Sequence, residues 1–66
     1  MNITTEQINA VLAALLNDPT PQEDLRQALV AIQKGYPVRY YGYKNHAMAI
    51  ACKQLEAMGL LGPVGG

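Results

Sequence analysis

The sequence predicts an all-α fold, a compact domain of three short helices. Three observations lead there. Apolar residues recur at the helical spacing in three separate stretches, each bounded by residues that start or stop helices. No stretch alternates apolar and polar residues for long enough to make a sheet. The chain has 66 residues, 50% of them apolar, which is enough for one small core and one domain spanning 1–66.

Helix 1 is expected over 5–16. Thr4 stands where an N-cap belongs and Gln7 at N3, the spacing of a capping box. Ile3 and Ile8 then fall at N′ and N4, where two apolar side chains staple the entering chain to the first turn. Ile8, Val11, Leu12 and Leu15 share one face, and Asn17-Asp18-Pro19 ends the run because proline drives its predecessor out of the α region.

Helix 2 is expected over 21–34. Thr20 is its candidate N-cap, Pro21 sits at N1 where a missing N–H costs nothing, and Glu23 falls at N3. Glu23 and Asp24 suit the positive end of the helix dipole and Lys34 the negative end. Leu25, Ala28, Leu29 and Ile32 form the buried stripe, and Gly35 is the C′ residue. The short link between helices 1 and 2 makes them neighbours, as an antiparallel or crossed hairpin.

The connection 36–43 is rich in tyrosine. Pro37 blocks continuation of the helix, and Val38-Arg39-Tyr40-Tyr41 is compatible with a short strand, a 3₁₀ turn or an ordered loop. Helix 3 is expected over 45–58, with Asn45 a candidate N-cap. Met48, Ala51, Cys52, Leu55 and Met58 form its core face, and Ala47, Ala49, Lys53 and Glu56 its outer one. Gly59 followed by Leu60 has the pattern of a Schellman ending. Residues 62–66 read as a frayed tail.

Composition narrows the functions. The single Cys cannot form an internal disulfide, and with one His it cannot complete a four-ligand zinc site, so no metal or cofactor is expected. No serine is present to act as a nucleophile. Cys52 and His46 are six residues apart, about 120° around a helix, and do not form a dyad within it. The chain therefore reads as non-enzymatic, with no small-molecule substrate. Met1 to Glu6 has no basic signal region, and the longest nearly uncharged run, Gln7 to Asn17, is too short to cross a bilayer. A cytoplasmic protein without a membrane role is the expectation.

A formal net charge of zero hides an asymmetry. Residues 1–33 carry Glu6, Asp18, Glu23 and Asp24 against Arg26, a net of −3. Residues 34–66 carry Lys34, Arg39, Lys44 and Lys53 against Glu56, a net of +3, with His46 besides. All four aromatics, Tyr36, Tyr40, Tyr41 and Tyr43, interleave with these cations. Tyrosine beside cations can stack on bases and hold phosphates, and the same composition makes a protein-binding hot spot.

The run from Asn45 to Pro63, closing on Leu55-Glu56-Ala57-Met58-Gly59-Leu60-Leu61-Gly62-Pro63, resembles the recognition helix and wing start of the winged-helix γ domain of FtsK/SpoIIIE-type DNA translocases. The basic residues which that family places inside the helix are replaced here by His46, Ala47 and Ile50. The resemblance implies a truncated winged helix whose third helix lies in the major groove, with Lys44, Asn45, His46, Ala49 and Lys53 nearest the DNA. The leading expectation is a small DNA-binding regulator of phage or plasmid type, acting as a homodimer. Its contact set is Arg39, Tyr40, Tyr41, Tyr43, Lys44, Asn45, His46, Ala49 and Lys53. The alternative is a protein-interaction module, such as a phage-encoded inhibitor that docks on a host protein through Tyr36–Tyr43. Zero net charge favours that alternative, since dedicated DNA binders are usually basic.

Overall fold

A computed structural model describes residues 3–35 and 46–60. They form three helices: α1 (Thr5–Ala14), α2 (Gln22–Gln33) and α3 (His46–Ala57). No strand occurs among the described residues. The connection 36–43, the proposed cap Asn45 and the tail 62–66 lie outside them.

The start of α1 is built as its sequence dictates. The Gln7 amide donates to Thr4 Oγ1 at 3.0 Å, and the Thr4 amide donates to Gln7 Oε1 at 2.9 Å. Two of the amides that a helix start leaves unpaired are thereby satisfied. Ile3 and Ile8 are both buried, as the staple requires. The end comes sooner than the expected residue 16. Leu15 is the C-cap, its amide shared between the carbonyls of Val11 and Leu12, and the chain tightens into the turn from there. The Gln22 side chain, reaching back from α2, donates to the carbonyls of Leu12 and Leu15 at 3.3 Å each, so α2 supplies part of the C-terminal cap of α1. Leu16, beyond the helix, is 68% exposed.

The expected cap of α2 is corrected. Pro21, with ψ 136°, is the N-cap, and no side chain bonds to the first-turn amides. Thr20 therefore lies outside the cap position, and Pro21 outside the first helical position. Pro21 itself takes an extended ψ, so the helix starts one residue later than expected and Thr20 falls one place ahead of the cap. The Thr20 amide instead donates to Asp18 Oδ1 at 2.9 Å, and its hydroxyl is turned inward, where Oγ1 has no hydrogen-bond partner among the described residues. Glu23 and Asp24 in the first turn favour the positive end of the α2 dipole without bonding its free amides. At the other end Lys34 is the C-cap and Gly35 takes φ +91°, the left-handed conformation expected of C′. The Gln33 side chain donates to the Ile3 carbonyl at 3.0 Å, tying the end of α2 to the entry of α1.

Each helix touches the other two, and the three close on one core. α1 contributes Ile8, Val11 and Leu12, flanked by Ile3 and Leu15. α2 contributes Leu25, Ala28, Leu29 and Ile32, and α3 contributes Ala47, Met48, Ala51 and Leu55. Two assignments on α3 are corrected. Ala47, expected on the outer face, is buried, because it lies only about 40° around the helix from Ala51 and follows it into the core. Met58, expected in the core, is 38% exposed. It stands after the last helical residue, and the chain reverses immediately beyond it. Gly59 takes φ +72°, its amide donates to the Glu56 carbonyl at 3.0 Å, and the Leu60 amide donates to Leu55 at 2.9 Å. This is the Schellman pattern, and it brings Leu60 against the core next to where Met58 was expected. Cys52 falls at the edge of the core face, half-buried against it.

Candidate functional site

Of the nine residues the sequence marks for contact, six lie outside the described residues: Arg39, Tyr40, Tyr41, Tyr43, Lys44 and Asn45. The other three stand on α3, and the helix brings them together. At about 100° per residue, His46, Ala49 and Lys53 fall within a sector of about 60°. That sector points away from the core face formed by Ala47, Met48, Ala51 and Leu55. His46 and Lys53 are exposed and Ala49 is half-exposed between them. The result is a shallow strip, one turn after another, with a ring nitrogen at its start, a methyl group in the middle and an ammonium near its end. Ile50 borders the strip on one side, partly buried against the core. Glu56 continues it on the other side and brings a negative charge within a turn of Lys53.

The start of the strip has an acidic neighbour that the sequence does not announce. Asp18, in the turn after α1, has its carboxyl held below the ordinary carboxylate value. The Thr20 hydroxyl contributes most and the Thr20 amide next; burial opposes them, and the electrostatic effect of His46 adds the smallest lowering. Of the two Thr20 groups the amide, at 2.9 Å, is the formed hydrogen bond; the hydroxyl acts as a near neighbour whose geometry falls short of one. The effect of His46, the smallest of the four, reaches Asp18 across 28 positions of sequence.

Cys52 does not join this strip. Burial, then the charge of Glu56, pushes its thiol above the ordinary value, so at neutral pH it remains a protonated thiol packed at the core edge. No group of three or more His, Cys, Asp or Glu side chains with metal-binding geometry occurs among the described residues. No helix among them is long and apolar enough to cross a membrane. No known family, curated protein or solved structure matches the chain.

Proposed function

We propose that the chain is a small, non-enzymatic DNA-binding regulator that presents the outward strip of α3 to duplex DNA. The observation that carries this reading is the convergence of His46, Ala49 and Lys53 on one exposed sector of a helix whose opposite side is committed to the core. A helix held from behind in this way is rigid and offers its outer side chains to a groove, with small Ala49 allowing close approach. The resemblance of 45–63 to a winged-helix recognition segment supports the same reading. The cations and tyrosines of 36–45 adjoin this helix in sequence and extend the contact set to Arg39, Tyr40, Tyr41, Tyr43, Lys44 and Asn45. Two copies acting together would reach two half-sites, and association would offset a small core.

The test is a duplex-binding titration at several salt concentrations. Binding should weaken steeply with salt, and Lys53→Gln should reduce the slope of log K against log salt by about 0.9, the signature of one lost phosphate contact. Amide signals of His46, Ala49 and Lys53 should move on adding duplex. Absence of binding at low salt overturns the proposal.

A second reading, a protein-interaction module, is favoured by two observations: the formal net charge is zero, and Glu56 stands beside Lys53 on the strip. It predicts capture of a specific protein that is insensitive to salt and lost in an Arg39→Ala, Tyr41→Ala double variant that still folds.

A further inference from the structure

We draw no further inference here: the strongest candidate, the outward face of α1 formed by Ala10, Ala13 and Ala14 with the exposed Leu16 beyond it, is an unpartnered stripe of small residues, and nothing in the structure shows what covers it.

Discussion

Replacing Gly59 tests how α3, the helix that carries the candidate strip, is brought to an end. Gly59 has φ +72°, and a Cβ added there would meet no atom of the described residues within 4 Å. The cost of Gly59→Ala is therefore conformational alone. Holding an L-residue in the left-handed region costs about 1–2 kcal/mol. Alanine also lowers the entropy of the unfolded chain, which returns about 0.4–1 kcal/mol. The net loss is about 1 kcal/mol, and in a domain of this size each kcal/mol lowers the melting temperature by about 4–8 °C. Gly59→Asn should cost less, because asparagine tolerates the left-handed region better, and Gly59→Val more, because β-branching adds strain. The assay is thermal and urea unfolding followed by circular dichroism at 222 nm, with the wild type and the three variants in parallel. The expected order of stability is Gly, Asn, Ala, Val. A Gly59→Ala protein as stable as the wild type would refute the left-handed ending. A loss above about 3 kcal/mol would refute the open surroundings, since strain alone does not reach it.

Four further outcomes are expected. Leu29→Ala empties a fully buried position on α2 and should cost about 2–5 kcal/mol, a large share of the stability of so small a domain, read as a fall in the urea midpoint. Thr4→Ala removes the hydroxyl that accepts from Gln7 and should cost about 1 kcal/mol, with faster amide exchange confined to the first turn of α1. Thr20→Val keeps the shape of the side chain and removes a buried oxygen that has no partner among the described residues, so stability should be unchanged or higher at a pH where Asp18 is protonated in both states, and should fall relative to wild type as Asp18 ionises and loses the hydroxyl beside it; a loss above about 1 kcal/mol at the low pH would mean that the hydroxyl is bonded. The Asp18 carboxyl titrates lower in the folded chain than in the unfolded one, so its contribution is present above the ordinary carboxylate value and is lost as pH falls through the lowered one. A carboxyl-carbon NMR titration should place Asp18 below the same residue in a short Asn17–Pro21 peptide, and Thr20→Val should shift it upward.

Where two residues within one turn settle a feature, the sequence alone is enough to see it. Thr4 with Gln7 and the glycines at 35 and 59 are of this kind, since each acts on backbone groups three to five positions away, and the Ile3–Ile8 staple is nearly as local. The start of α2 is also local, yet two rules compete there. Pro21 can stand at the first helical position or, with an extended ψ, at the cap itself; here it takes the cap, and the Thr20 amide goes to Asp18. Ala47 and Met58 depend on where the core stops. Alanine is small enough for either side of a helix, and the periodicity that assigns Met58 inward continues past the point where Gly59 turns the chain. For the candidate strip, the pattern on α3 is enough to group His46, Ala49 and Lys53 on one side. The effect of His46 on Asp18 links positions far apart in the chain, and neither residue has a neighbour in sequence that signals it.

The bond from Gln33 to the Ile3 carbonyl gives the domain a fixed doorway. Ile3 is held by its side chain within the interior and by its backbone at the far end of α2, so whatever is joined ahead of it leaves from a set point. A fluorescent or affinity label fused close before Ile3 would inherit that point of departure, and distances measured from it to a second label would report the placement of the whole domain with little contribution from a swinging linker.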